Sequence, residues 1–291
     1  MMHPLRGSPR NLLMKHSFAF ADAAGSAGST YDRQPADPVT TKLELTTNFD
    51  RVEREALRRA LRTDQRTLHP RTPLIEAGDT PTEVHVVLEG WACRYRRLSD
   101  GTRQIVALHL PGDICDLDAC LTDACVHPVD AIDTLRVAGL SRKLLASLTA
   151  EHPRIERAFR WESMASASVQ REWAVNVGRR NARQRVGHLL CELATRLSAV
   201  GNGANDSFAF PLTQRDVADA CGITPVHANR TLQDLRATGL ITLSGRMLTI
   251  HDRPALEKLA DFNPAYLRLG SALLQAPTTG SEQVRRSPIQ V

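Results

Sequence analysis

The stretch TQRDVADACGITPVHANRTLQDLRATGLI, residues 213–241, decides the fold of the C-terminal part of the chain. Thr213 and Thr224 each stand where a hydroxyl can cap the first turn of a short helix. Gly222 permits a sharp turn between the two helices, and Gly239 ends the second one. Two short capped helices joined by so few residues predict a helix-turn-helix.

The segments on either side of this stretch extend the prediction. After it, LITLSGRMLTIHD reads as a β-hairpin turning around residues 244–246, which would form a wing. Before it, Asn181 caps an amphipathic helix, and residues 142–180 are helical with one break at His152 and Pro153. We therefore expect a winged helix-turn-helix preceded by a long helix.

The long helix carries an apolar stripe whose role the pattern leaves open. The stripe comprises Ile155, Phe159, Val169, Trp173 and Val177 and is interrupted by polar side chains. It predicts either a helix that pairs with a second copy of the chain or a helix buried within one domain.

The pattern of residues 71–140 predicts short β-strands separated by glycines, which is typical of a small antiparallel barrel or roll. EVHVVLEG predicts a strand that ends at Gly90. The following hairpin is expected to turn on Asp100 and Gly101 as a two-residue turn. An amphipathic helix precedes the strands, capped by Asn48 or Asp50, with an apolar face of Phe49, Val52, Ala56, Leu57 and Ala60.

This order of elements resembles the Crp/Fnr family of bacterial transcription regulators over about residues 45–260. The resemblance rests on Gly78, Gly90 and Gly112, together with the segment 211–250. The resemblance implies an α+β fold with an N-terminal β-roll of the cupin-like, cyclic-nucleotide-binding-like kind, a long dimerisation helix and a C-terminal winged helix-turn-helix. The expected boundaries are a disordered tail over 1–42, the roll over 43–150, the dimerisation helix over 151–180, the DNA-binding domain over 181–262 and a C-terminal tail over 263–291.

The resemblance implies a sequence-specific transcription regulator that binds double-stranded DNA as a homodimer, with RNA polymerase as a further partner. The second helix of the motif would enter the major groove, where Arg230 suits guanine and Asn229 suits adenine. The expected DNA-binding residues are Thr213, Gln214, Arg215, Thr224, Pro225, Val226, His227, Asn229 and Arg230. Pro225 and Val226 stand where the family commonly has Arg and Glu. We therefore do not expect this protein to recognise the consensus DNA half-site of the cAMP receptor.

Composition agrees with this class of protein. The net charge is +5, and residues 179–259 hold eleven Arg and Lys against seven Asp and Glu, a surplus that suits a phosphate backbone. No apolar run reaches the roughly 20 residues of a membrane span. Six cysteines are too few for a disulfide scaffold, which favours the cytoplasm. No nucleotide-binding loop, zinc-protease helix or nucleophile elbow predicts an enzyme.

The effector is the least determined feature, and no cofactor is assigned. Asp116 and His127 are the candidate pocket residues, but the Arg-Ser pair that holds a cyclic phosphate in the family is missing. We therefore expect no cAMP binding, and a neutral or cationic effector or none. Cys115, Cys120 and Cys125 could hold a metal or sense oxidation, but inert buried thiols are the expected role. The alternative function is a regulatory module that binds a cyclic nucleotide, or uses a metal or redox group, without binding DNA.

Overall fold

The computed structural model describes residues 37–270 apart from Asp116, residues 118–123 and Ala204. The N-terminal half is a β-roll bordered by helices, a 27-residue helix follows, and a winged helix-turn-helix closes the chain. The helices are α1 (Pro38–Glu44), α2 (Arg51–Thr63), α3 (Arg142–Glu151), α4 (Pro153–Arg179), α5 (Ala182–Ala199), α6 (Gln214–Cys221), α7 (Pro225–Ala237) and α8 (Arg253–Ala260). The strands are β1 (Gln65–Leu68), β2 (Pro73–Ile75), β3 (Glu83–Glu89), β4 (Ala92–Arg97), β5 (Arg103–His109), β6 (Val129–Ala131), β7 (Leu135–Ser141), β8 (Ser207–Ala209), β9 (Ile241–Ser244) and β10 (Met247–Ile250).

The roll consists of two antiparallel sheets, ordered β1-β7-β3 and β2-β6-β4-β5. Apolar side chains from both sheets, including Val87, Val129 and Val137, form its interior. Gly90 follows β3 with a φ of +76°, and a Cβ there would lie 3.0 Å from Leu135 Cα. The predicted strand end at Gly90 is therefore confirmed, and the position tolerates only glycine without a shift of backbone.

The β4–β5 hairpin differs from the two-residue turn that was predicted. Leu98 and Thr102 close a three-residue loop, in which the Gly101 N–H donates to the Leu98 carbonyl at 3.0 Å. Gly101 has a positive φ of +83°, whereas Asp100 does not. The Asp100 carboxylate accepts from the N–H and the hydroxyl of Thr102, which favours a type I turn followed by a left-handed glycine.

Helix α2 confirms the predicted amphipathic helix and its cap. Asp50 forms a reciprocal capping box with Glu53. Leu57 and Ala60 are buried as predicted, but Val52 is 68% exposed, so its place on the apolar face was wrong. Only the part of the pattern that faces the roll and α4 is covered.

Both predicted tails are wrong in the parts that the structure describes. Residues 38–44 form α1, capped by Asp37, and bury Val39 and Leu43 against the roll. Residues 264–267 form a 3-10 helix, and Leu267 and Leu269 are buried in the C-terminal core. Neither segment is long enough to show a helical period, so its apolar residues gave no signal in the sequence.

A buried chain of charges connects these segments. Lys42 on α1 donates to Asp113, at 2.6 Å, and to Glu162 on α4. Arg196 on α5 donates to Asp113 and, at 3.0 Å, to Glu192. Glu192 also accepts from the Trp173 indole at 2.9 Å and from the Tyr266 hydroxyl at 2.8 Å. The network joins α1, the roll, α4, α5 and the C-terminal segment around side chains that are nearly inaccessible to water.

Candidate nucleic-acid interface

The helix-turn-helix is built on the caps that the sequence predicted. The Thr213 hydroxyl accepts from Asp216 N–H at 3.2 Å, and the Asp216 carboxylate accepts from Thr213 N–H at 2.9 Å. The Thr224 hydroxyl accepts from His227 N–H at 3.2 Å at the start of α7. Gly222 takes the left-handed conformation between the helices, with φ +61°. These local interactions fix where both helices begin and how they cross.

Packing leaves one side of the motif open. Ala218, Ala228, Leu232 and Leu235 are buried where α6 and α7 meet the rest of the domain. The wing, β9 and β10, turns through Gly245 and Arg246 with φ of +58° and +64°, the signature of a type I′ hairpin. It pairs with β8 in a three-stranded sheet, and β8 has no counterpart in the sequence-based prediction.

The predicted DNA-binding residues all lie on the open side. Eight of them are exposed: Thr213, Gln214, Arg215, Thr224, Pro225, Val226, His227 and Arg230. Asn229 is half-buried because its side-chain oxygen accepts from the Gln214 amide at 3.0 Å. This bond joins the N-terminal end, or head, of α6 to α7, the recognition helix of the motif. The exposure of these residues and the Gln214–Asn229 bond support a common surface at the start of both helices, and their contacts with DNA stay a prediction.

The β-roll contacts the head of α6 through arginines that the sequence analysis did not single out. Arg71 forms a bidentate pair with the Asp216 carboxylate at 2.8 and 2.7 Å, and Arg103 donates to the same carboxylate at 2.6 Å. Arg103 also donates to Asp219 at 2.7 Å. Burial alone would raise the pKa of Asp216, but the hydrogen bonds from Arg71, Thr213 and Arg103 hold it well below its usual value.

A second site candidate is the cavity between the roll and α4, of about 360 Å³. His127 lines it as predicted, and burial beside Arg94 lowers the pKa of its imidazole. Asp116 lies outside the described residues. The segment that lacks the Arg-Ser pair is not the only part of the chain that reaches the cavity, because Arg94 on β4 lines it and donates to the backbone carbonyls of Cys115 and His127. It comes from a strand remote in sequence from the segment that was searched.

The same cavity contains a buried carboxylate from α4. Glu162 is 5% exposed, and its Oε2 has no hydrogen-bond partner among the residues that the structure describes. Burial raises the pKa of Glu162, and the attraction of Lys42 offsets this only in part. Cys115 and Cys125 also line the cavity, whereas Cys120 lies outside the described residues. Within the described part of the chain, no three His, Cys, Asp or Glu side chains converge in a way that could hold a metal.

Helix α4 uses most of its predicted apolar stripe inside its own chain. Ile155 and Phe159 pack with the roll and its helices, and Trp173 packs with the DNA-binding domain. That stripe is therefore not the face left for a second copy. The opposite side of α4 exposes Met164 by 54% and Val175 by 47%. No helix within the described ranges has the length and hydropathy of a membrane span.

Comparisons with known proteins match both halves of the chain. A family model described as the Crp-like helix-turn-helix domain matches residues 184–259, and one described as the cyclic nucleotide-binding domain matches residues 65–152. The nitrogen fixation regulation protein FixK of Bradyrhizobium diazoefficiens is 31% identical over 182 residues, which cover 62% of this chain and 76% of that protein. An anaerobic regulatory protein of Haemophilus influenzae is 26% identical over 198 residues, covering 67% and 76%. The structure of FixK2 from Bradyrhizobium japonicum superposes with a TM-score of 0.61 at 26% identity, covering 67% of this chain and 96% of that one.

Proposed function

The chain belongs to the Crp/Fnr family of DNA-binding transcription regulators, and on this premise we propose that two copies bind DNA together, each placing α7 in the major groove. The observation that carries the proposal is the exposed surface formed by the heads of α6 and α7, while Val217 and Ala218 of α6 and Ala228, Leu232 and Leu235 of α7 pack into the core of the domain. A regulator of this kind acts on the chromosome, which places it in the cytoplasm.

The roles of the surface residues follow from their chemistry. Arg230 projects from the exposed side of α7 and can donate two hydrogen bonds to guanine. Asn229 is oriented by the bond from Gln214, and its side-chain N–H groups and the second lone pair of its oxygen can still pair with adenine. Thr213, Gln214 and Arg215 stand at the head of α6, the helix that crosses the phosphate backbone in such motifs. Val226 is 74% exposed and offers an apolar contact to a thymine methyl group.

Binding to DNA upstream of the protein's own coding region, compared with random duplex at several salt concentrations, tests this function. We expect the affinity for both DNAs to fall steeply with salt and the upstream DNA to bind more tightly, since phosphate contacts supply the shared part. Absence of binding to both DNAs at low salt would refute the proposal and favour the alternative of a ligand-binding module that does not bind DNA.

We further propose that the exposed side of α4 joins the two copies. Met164, Arg171, Val175 and Gly178 are all exposed and follow one another at intervals of seven, four and three residues, which is the spacing of a helix-pairing seam. A two-fold axis along this seam would present two recognition helices to two half-sites.

Substitution Val175→Glu in the seam tests the homodimer. Light scattering should give a dimer for the unaltered chain and a monomer for the variant, because two carboxylates would face each other across the axis. The control is Val52→Glu, which places the same charge at an exposed position on α2 and should leave the dimer intact. A monomer for the unaltered chain, with and without DNA, contradicts the proposal.

The cavity between the roll and α4 is our candidate for the effector site. It presents Glu162 Oε2, which has no hydrogen-bond partner in the described part of the chain and suits a hydrogen-bond donor, and an Arg94 whose N–H groups already donate to two backbone carbonyls. These features favour a neutral or cationic effector over a cyclic phosphate. Burial and the neighbouring Arg94 lower the pKa of His127, which favours its neutral imidazole.

Calorimetric titration with cAMP and cGMP at millimolar concentration tests the choice of effector class. We expect no saturable heat from either nucleotide. Saturable heat that disappears in Arg94→Ala would show that this guanidinium holds a cyclic phosphate and would overturn the assignment. Native mass spectrometry of protein from its own host is the direct search for the bound molecule.

A further inference from the structure

A cleft of about 330 Å³ lies where the roll meets the head of α6. Three of its lining arginines come from the roll and one from α6, and the remaining lining residues are Thr213 and Asp216. The four guanidinium groups are those of Arg71, Arg97, Arg103 and Arg215.

Arginines outnumber carboxylates in this cleft. Among the described residues, Asp216 is the one carboxylate in the lining; it accepts from Arg71 and Arg103, and Arg103 also donates to Asp219. Asp130 outside the lining attracts Arg71, Arg97 and Arg103 as well, and this leaves Arg215 without a carboxylate partner in the described part of the chain. Arg97 and Arg215 are exposed and form no ion pair with any residue that the structure describes. Like charges so close together repel one another unless an anion stands between them.

The position of the cleft indicates which anion. Arg215 and Thr213 belong to the head of α6, and the neighbouring Gln214 bonds to Asn229 on the recognition helix. When a recognition helix lies in the major groove, the first helix of the motif crosses the adjacent phosphate backbone. The cleft therefore continues the DNA-facing surface outward from the helix-turn-helix onto the roll.

We propose that the DNA-binding surface extends onto the β-roll, where Arg97 and Arg215 hold a backbone phosphate in this cleft. Asp216 positions Arg71 and Arg103 beside them, and Arg97 lies against the Tyr95 ring, with its guanidinium carbon 5.8 Å from the ring centroid. The contact is independent of sequence and lengthens the footprint of each protomer. This inference rests on the proposed DNA binding and adds a partner surface to a domain otherwise assigned to the effector.

The experiment compares salt dependence of DNA binding for the full chain and its Arg97→Ala variant. Each lost phosphate contact lowers the slope of log affinity against log salt by about 0.9. The variant dimer loses two such contacts, one in each protomer, so its slope should be smaller by about 1.8. Between 50 and 200 mM salt, the affinity of the unaltered chain should therefore fall about 12-fold more than that of the variant. The difference should be the same for cognate and scrambled duplexes. Arg59→Ala, at an exposed α2 arginine that does not line the cleft, is the matched control and should leave the slope unchanged.

Two further measurements vary the length of the DNA duplex and replace DNA by inorganic phosphate. Extending the duplex by about one helical turn, roughly 10 base pairs, beyond the recognition site should tighten binding of the unaltered chain but not of Arg97→Ala. Binding of inorganic phosphate to the full chain and to Arg97→Ala is measured in parallel. Equal salt slopes for Arg97→Ala and the Arg59→Ala control overturn the inference, even if Arg97→Ala binds inorganic phosphate more weakly than the unaltered chain does. An unaltered chain that fails to bind any DNA refutes the proposed function itself, which is a different outcome.

Discussion

Replacing Lys42 by methionine should destabilise the fold strongly, although the residue lies far in sequence from every predicted site. Within the described ranges, its ammonium group is the one cation that donates to both Asp113 and Glu162, which are 4% and 5% exposed. Burial lowers the pKa of Lys42, but Asp113 and Glu162 together raise it above its usual value, so the group is charged at neutral pH. Methionine has a similar length and no charge.

The expected loss of stability in Lys42→Met follows from the hydrogen-bond partners that Asp113 and Glu162 retain. Asp113 keeps its ion pair with Arg196, whereas Glu162 loses the hydrogen bond to its Oε1 and already has no partner for Oε2 among the described residues. Removing one member of a buried pair costs about 3–5 kcal/mol, and the surviving Arg196 contact places the cost near 3 kcal/mol. For a domain of 150–250 residues, this lowers the melting temperature by about 6–12 °C.

Thermal and urea unfolding of Lys42→Met measure this effect, and the double variant Lys42→Met/Glu162→Gln supplies its test. The double variant removes one cation and one carboxylate, so the charge balance of the network is restored and most of the lost stability should return. Glu162→Gln alone should cost less than Lys42→Met, since burial already raises the pKa of that carboxyl. A Lys42→Met variant within 0.5 kcal/mol of the unaltered chain, or additive effects in the double variant, would refute the reasoning.

Three further predictions concern the helix-turn-helix. Arg230→Ala should cost about 1–3 kcal/mol of specific DNA binding and relax discrimination, with Arg236→Ala on the last turn of α7 as the unaffected control; equal discrimination by both variants would remove Arg230 from base recognition. Because the pKa of Asp216 is lowered on folding, its stabilising effect is complete above about pH 4 and is lost as the pH falls further, so Asp216→Asn should flatten the acid limb of a stability curve. Gly222→Ala should destabilise the domain by about 1–2 kcal/mol in urea titrations, because φ is +61° and the new Cβ would lie 3.1 Å from Val177 Cγ1; an unchanged midpoint would contradict this.

Much of the DNA-binding domain could be predicted from the sequence because its signals are local. Thr213 and Thr224 cap helices whose first turns lie within three residues of them, and Gly222 and Gly239 adopt the positive φ that their turns require. Such interactions depend on neighbours along the chain, so they can be predicted from the sequence without knowledge of the tertiary structure. The order of these signals also indicated the family.

Features that depend on contacts between distant parts of the chain were left open or predicted wrongly. The stripe on α4 is an amphipathic pattern, but its period shows only that one side of the helix is covered, so the sequence left open whether a second copy or the same chain covers it. The roll and the DNA-binding domain cover it here, and the exposed Met164 and Val175 stand on the other side. Residues 264–269 read as a tail because no period was visible, although their burial depends on α4 and α5.

The sequence by itself determined the helix starts, the turns, the wing and the membership of the family, since each rests on contacts within a few residues. Tertiary structure alone decided which charges meet. Lys42 reaches Glu162 across 120 positions, and Arg71 reaches Asp216 across 145. Attraction between charges depends on distance in space and on burial, and neither is encoded by separation along the chain.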